Sequence, residues 1–318
     1  MEGSHFNSDE LAAQALAGGG PHGDGIRKSM HEQFQRFFSQ MPYLFVGAVD
    51  AHGGPLASVL WGAPGFVQSP DPVTLRIAAL SDPRDPAAEM LVPEREIGLL
   101  GIDLATRRRI RANGSIVKRD AGGIHVFVMQ SFGNCPQYIQ LRTLVAARTA
   151  SAAAEVVQAA AVPAESFDRL DDSARAAIAA ADTFFVASRS RANAGAAFCA
   201  DISHRGGRPG FVRVDDERSS NVLTVPDFPG NRYFNTLGNL IAEPRASLLF
   251  VDFESGDLLQ LQGAADVDWN SAAAQRFPGA ERLWRFHVAR VWRRRAALPL
   301  RWSLPKYAPT TMHTGLWS

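Results

Sequence analysis

The stretch Leu99-Leu100-Gly101-Ile102-Asp103 returns 149 residues later as Leu248-Leu249-Phe250-Val251-Asp252. Gly114 returns at the same offset as Gly263. Upstream of both, Pro64-Gly65-Phe66-Val67 returns as Pro209-Gly210-Phe211-Val212, at an offset of 145. A four-residue apolar match alone arises by chance. Three landmarks in the same order, with four extra residues in the second copy, mark a tandem duplication, and a duplication fixes the architecture before any single element is assigned.

Outward from these landmarks the texture is that of short strands. Apolar runs bounded by turn residues fall at 43–49, 57–61, 73–77, 97–102, 109–113 and 124–130 in the first copy. In the second they fall at 184–188, 195–202, 210–214, 221–225, 247–253 and 258–267. Runs of this length and spacing belong to a barrel or sandwich. Residues 254–257 (Glu-Ser-Gly-Asp) read as a hairpin turn. After it, Leu259 and Leu261 alternate with Gln260 and Gln262, so one strand face packs inward and the other presents amides. The matching strand of the first copy, Thr106-Arg107-Arg108-Arg109-Ile110-Arg111, is basic instead. The expected fold is mainly β with α connectors, as two tandem split β-barrels. Residues 1–28 read as a mobile tail, 29–143 as the first barrel and 144–181 as an alanine-rich helical connector. Residues 182–318 read as the second barrel with a C-terminal extension.

Composition excludes several function classes. The 318 residues carry 33 Lys and Arg against 32 Asp and Glu, a net charge of +1. Proteins that track the nucleic-acid backbone show a clear basic excess, so no nucleic-acid partner is expected. The start of the chain lacks the basic and apolar blocks of a secretory signal. The most apolar long stretch, 144–162, is broken by Arg148 and Glu155, so no membrane span is expected and the cytoplasm is the default location. Two cysteines, Cys135 and Cys199, make neither a disulfide framework nor a zinc cage. Cys199 reads as core. Cys135 has no neighbouring cation in sequence to activate it and reads as structural, with Asn134 and Tyr138 beside it as a substrate-side wall. Eight histidines form no metal-ligand spacing, so no metal is expected. No Gly-x-Gly-x-x-Gly joins a strand to a helix, which excludes a nicotinamide Rossmann domain. Trp292-Arg293-Arg294-Arg295 reads as a solvated charged face.

The second copy runs from Ile202-Ser203-His204-Arg205-Gly206-Gly207-Arg208 through Pro209–Val214 (residues 209–214). It continues through Gly230-Asn231-Arg232-Tyr233-Phe234-Asn235-Thr236-Leu237-Gly238-Asn239-Leu240 to Glu243-Pro244-Arg245. Together with Ser131-Phe132-Gly133-Asn134-Cys135-Pro136-Gln137-Tyr138 of the first copy, this resembles the pyridoxamine 5′-phosphate oxidase-like FMN-binding split-barrel family, in its tandem-barrel branch. The likeness covers about residues 30–300. It implies FMN between two barrels, a homodimer, and oxidoreductase chemistry on a small-molecule substrate or electron donor. The alternative is a flavin- or haem-binding module without turnover.

The resemblance also implies site residues. Arg208 and Arg213 match the family's cationic pair five residues apart. The backbone of Gly210, Phe211 and Val212 would face the ring, and Ser203 and His204 its polar edge. Asn235 and Thr236 stand where the oxidase has two cations, a departure that leaves amide and hydroxyl donors near a helix start, with Arg232 restoring charge. Asn231, Asn239, Gln260 and Gln262 complete the expected cofactor set, and Arg301 and Trp302 match late family positions. The first copy has Glu89 where a phosphate would need a donor, so one intact site is expected, centred on the second copy.

Overall fold

The computed structural model describes residues 5–79, 82–145, 162–191, 200–214 and 221–317. The first barrel holds β1 (Tyr43–Val49), β2 (Pro55–Trp61), β3 (Val67–Asp71), β4 (Thr74–Ile77), β5 (Glu96–Asp103), β6 (Arg108–Asp120) and β7 (Gly123–Gly133). Two short strands follow, β8 (Leu144–Val145) and β9 (Glu165–Phe167). The second barrel holds β10 (Thr183–Arg189), β11 (Ala200–Gly206), β12 (Arg213–Val214), β13 (Val222–Asp227), β14 (Arg245–Val251), β15 (Leu258–Asp268) and β16 (Arg282–Arg294). The last strand, β17 (Arg301–Trp302), pairs with β8.

The two sheets have the same path. The first runs β2-β1-β5-β6-β7-β4-β3 and the second β11-β10-β14-β15-β16-β13-β12, all neighbours antiparallel, with β9 added beside β16. Mapped by pairing, β5 and β6 correspond to β14 and β15 residue for residue. Arg111 lies opposite Leu100 as Gln260 lies opposite Leu249. A β-bulge follows Asn113 in one copy and Gln262 in the other. The repeated glycine sits at that bulge. A Cβ on Gly114 would run into the Phe127 carbonyl, and one on Gly263 into the His287 carbonyl. The same close approach therefore demands glycine twice. The Pro-Gly-Phe-Val repeat is a turn with Gly65 and Gly210 at φ +93° and +86°, values that only glycine adopts freely.

Three large apolar clusters hold the barrels together, and a small fourth joins Phe6, Ile26 and Phe132. One fills the first barrel around Phe38, Leu44, Leu75 and Val126, and a second fills the other around Phe184, Leu248, Trp284 and Phe286. The third belongs to neither: Phe45, Val59 and Leu100 of the first barrel meet Phe185, Ile202 and Leu249 of the second. The barrels face each other within one chain, and each contributes one side of an apolar interface.

The ends of the chain differ from the sequence reading. Residues 8–16 are a helix, α1 (Ser8–Leu16), not a mobile tail. Asn7 caps it, accepting from the Asp9 and Glu10 amides at 2.9 and 2.8 Å, while Glu10 returns a bond to the Asn7 amide at 2.8 Å. This is a capping box, which satisfies three otherwise unpaired backbone amides locally. A second helix, α2 (Glu32–Gln40), buries Phe37 and Phe38 in the first barrel. Among its described residues the connector contains β8, β9 and a helix, α3 (Asp172–Ala180), capped by Asp171. The alanine-rich run 146–161, expected as helix, lies outside the described residues, as does Cys199. Two more helices, α4 (Asn235–Ala242) and α5 (Pro309–Met312), complete the chain. No described helix is long and apolar enough to cross a membrane.

Candidate functional site

A cleft opens where β6 and the loop after β7 of the first barrel meet β11 and the start of α4 of the second. Its floor is set by strand alternation. On β6, Ile110 and Ala112 enter the core of the first barrel, so Arg109, Arg111 and Asn113 must face the opposite barrel. On β11, Asp201 and Ser203 meet them. Arg111 Nη1 lies 2.7 and 2.9 Å from the two Asp201 oxygens, and its Nη2 donates to Ser203 Oγ at 2.5 Å. Asn113 Nδ2 donates to Asp201 at 3.2 Å, and Ser203 Oγ donates to the same carboxylate at 3.1 Å. Thr236, in the first turn of α4, donates to Ser203 at 2.7 Å. Every one of these groups is buried. Hydrogen bonds to Ser203, Asn113 and Asn235 offset the cost of burying this pair, and Arg111 Nε has no partner among the described residues.

Five arginines line the cleft: Arg111 in its floor, and Arg109, Arg205, Arg232 and Arg282 around it. Asp227 takes Arg205 and Arg282, each at 2.5 Å, and Glu281 takes Arg282 at 2.8 Å. Arg232 donates to the carbonyls of Ala17 and Gly19 just beyond α1. Arg109 pairs with no carboxylate among the described residues. Its Nε donates to the Cys135 carbonyl at 2.9 Å, and its Nη1 lies 3.1 Å from His204 Nδ1. Burial first, then the nearby Arg111 and Arg205 charges, push its pKa down to about 10 against the opposing effect of Cys135, and it stays a cation at neutral pH.

His204 complements it. Burial first, then the nearby Arg109, Arg205 and Arg142 charges, hold its pKa well below the usual range, so the ring is neutral. A guanidinium only donates, so His204 Nδ1 accepts and the proton lies on Nε2. That Nε2 is buried and has no partner among the described residues. The helix α4 adds its own positive end: Phe234, at its N-cap, has no side chain to bond the first amides. Tyr138, Arg232 and Phe234, all lining the cleft, have left-handed φ of 61°, 58° and 57°. Bulky residues held in that region are strained, and such strain concentrates at functional sites. Cys135 Sγ lies 3.6 Å from Arg109 Nη2. Among the described residues no acid, histidine and cysteine cluster is arranged to hold a metal.

The sequence-derived site residues divide into three groups. Ser203, His204, Phe211, Asn231, Asn235 and Thr236 line the cleft. Arg208, Gly210, Val212 and Arg213 do not. Phe211 and Val212 are core of the second barrel, Gly210 is the turn, and Arg213 stacks on the Trp317 ring at 4.4 Å. Their strand is too short to carry both cations to one ligand, since β12 spans two residues. Asn239 donates to Ser188 inside the second barrel at 3.0 Å. Gln260 and Gln262 cross to the backbone of β2, donating to the Ala57 and Pro55 carbonyls at 2.9 and 3.2 Å. Arg301 bonds the Leu298 carbonyl at 2.6 Å and Trp302 packs on Tyr43 and Phe253, all away from the cleft. Sequence reading missed Arg109, Arg111, Arg205, Asp227 and Arg282. The alternation of Arg109, Arg111 and Asn113 was the available signal.

No family model and no curated protein matches the chain. Solved structures do. HupZ of Group A Streptococcus aligns at 14% identity and a TM-score of 0.29, covering 37% of this chain and 90% of its own. A FAD-binding protein of Mesorhizobium loti aligns at 12% and 0.27, covering 41% and 96%. A Clostridium acetobutylicum protein related to general stress protein 26, of the pyridoxinephosphate oxidase family, aligns at 12% and 0.26, covering 40% and 88%. Each match spans about one barrel of this chain. Two split β-barrels stand in tandem here. The similar structures include the family that the residues resemble, and at these identities no function is carried over from them.

Proposed function

We propose that the chain binds a flavin nucleotide, FMN in the first instance, in the cleft between its barrels, and acts as an oxidoreductase on a small molecule. The observation that carries this is Arg109, a cleft guanidinium without a carboxylate. It stands beside the unpartnered Nε2–H of His204 and the bare start of α4. A phosphate supplies the acceptors that these donors lack, and charge-assisted bonds to it are the strong ones. The residues present fit that end of the ligand. The cleft offers a free volume of about 100 Å³, enough for a phosphate group. The ring is left to the open mouth, whose apolar lining is Tyr138, Phe228 and Phe234.

When bound, the flavin supplies the two-electron chemistry, and the chain supplies binding and orientation. Arg109 and His204 hold the anion. Arg111 is committed to Asp201 and fixes the floor. One chain carries both walls, so a second copy is not needed to complete the site. Titration with FMN, FAD and riboflavin tests the reading. FMN and FAD should bind, and riboflavin, which lacks a phosphate, should bind far more weakly. Equal affinity for all three would remove the anion site from the account. Bleaching of the loaded protein by NADH or NADPH tests turnover.

A further inference from the structure

The duplication places a second site opposite the first, and its residues can be identified by register. Ser203 lies opposite Val186 on β10 as Ser58 lies opposite Val46 on β1. Arg111 corresponds to Gln260. Asn134, beside Arg109 after β7, corresponds to Arg294, opposite Leu258. In the first site Ser203 bonds Thr236, which opens the helix after β13. In the second, the Ser58 hydroxyl donates to Asp85, just ahead of the 3₁₀ turn after β4.

Asp85 is held as a bound anion would be. One oxygen accepts from the Gln260 amide at 3.1 Å and the Ala87 amide at 3.0 Å. The other meets Ser58 and lies 3.1 Å from Arg294 Nη2. Arg294 also donates to Gln260 Oε1 at 3.0 Å and Ser58 Oγ at 3.3 Å, and reaches Asp82 at 3.4 Å. Asp85, Ser58, Gln260 and Arg294 are at most 4% exposed. We infer that the second inter-barrel site is an anion site whose ligand is built into the chain: the Asp85 carboxylate occupies it, so one external anion binds per chain. Glu89, expected to repel a phosphate there, is not the residue that does so. The closure does not depend on what the first cleft binds.

The test is chemical rescue by formate or acetate. Asp85→Ala leaves the Arg294 guanidinium buried without this carboxylate and should lower the melting temperature by on the order of 5 °C or more. Formate should then restore stability saturably at constant ionic strength, and a variant that folds only with formate counts as the same result. Asp85→Asn, which fills the space, should show no saturable formate effect. Absence of formate-specific rescue in Asp85→Ala, including failure to fold with formate present, would overturn the inference.

A second variant reads the same network from its other side. Arg294→Met leaves Asp85 facing Gln260 and Ser58 without a cation, while Asp82 keeps Arg84. Adding Asp85→Asn should recover part of the stability that Arg294→Met loses, because the stranded charge is then gone. Strictly additive losses would contradict the role of Asp85 as the site's anion.

Discussion

Phe45 and Phe185 stack with ring centroids 3.5 Å apart and planes 16° from parallel, and they are the same position in the two barrels. Phe45 lies opposite Val59 and Leu100, and Phe185 opposite His204 and Leu249. Equivalent residues that touch each other define a two-fold relation between the copies. Both rings are at most 1% exposed, so the contact is a core contact that happens to join two barrels. Phe45→Ala should cost about 3–5 kcal/mol, read from denaturant unfolding, and it should loosen both barrels in one transition. A loss under 1 kcal/mol would show that the barrels do not depend on this face.

Arg111 and Asp201 tie the barrels together a few residues away. Arg111→Met leaves the Asp201 carboxylate buried with only Asn113 and Ser203 as donors, and should cost about 3–5 kcal/mol. Adding Asp201→Asn should recover part of that loss, because the stranded charge is then gone. A double-mutant cycle measures this directly. Strictly additive losses would mean that the pair is not coupled.

Glu10 introduces a pH dependence. Burial outweighs its bonds from Asn7 and Asn235 and pushes its pKa up to about 7. The folded state therefore holds a proton that the unfolded chain releases near the ordinary value of 4.5. Stability should fall as pH rises from about 4.5 to 7, by about 3 kcal/mol in total. Glu10→Gln should be flatter than the parent across that window. His204 acts in the opposite sense below its ordinary pKa, because its neutral form is the buried one. Unfolding midpoints of parent and Glu10→Gln measured from pH 4.5 to 7.5 decide the matter, and parallel curves would contradict it.

The α1 packing offers a geometric test. A Cβ on Gly238 would lie 2.7 Å from Glu10 Cα, so Gly238→Ala should push α1 off α4. The expected result is faster amide exchange in residues 8–16, with the barrel strands still protected. Unchanged exchange there would mean the helix can shift without cost.

The fold was legible because duplication writes each constraint twice. Gly114 and Gly263 mark one bulge, and Gly65 and Gly210 mark one turn. The strand Arg282–Arg294 was harder to read, since its alternation of Arg, Phe, His and Val looks like an irregular charged segment until β13 and β15 pair on either side. The helix α1 was missed although Asn7 and Glu10 stand at capping-box spacing, because the surrounding glycines suggested a tail. The candidate site was half legible. Ser203, His204, Asn235 and Thr236 sit on segments whose pattern stands out locally. Arg109 and Arg111 act on the other barrel, and no local pattern in either copy reveals which partner a strand face will meet. Arg208 and Arg213 were placed by likeness to another protein, and here the turn at Gly210 sends them elsewhere.

The central claim is that Arg109 is the open cation of an anion site that takes a flavin phosphate. FMN titration of the parent and of Arg109→Met, followed by absorbance and fluorescence quenching, tests it most directly. The account predicts one FMN per parent chain and an affinity loss of about 10- to 100-fold in Arg109→Met, the loss of one charged hydrogen bond, with the fold intact by circular dichroism. A parent that takes up no FMN, or an Arg109→Met variant that binds it as tightly as the parent, would contradict it.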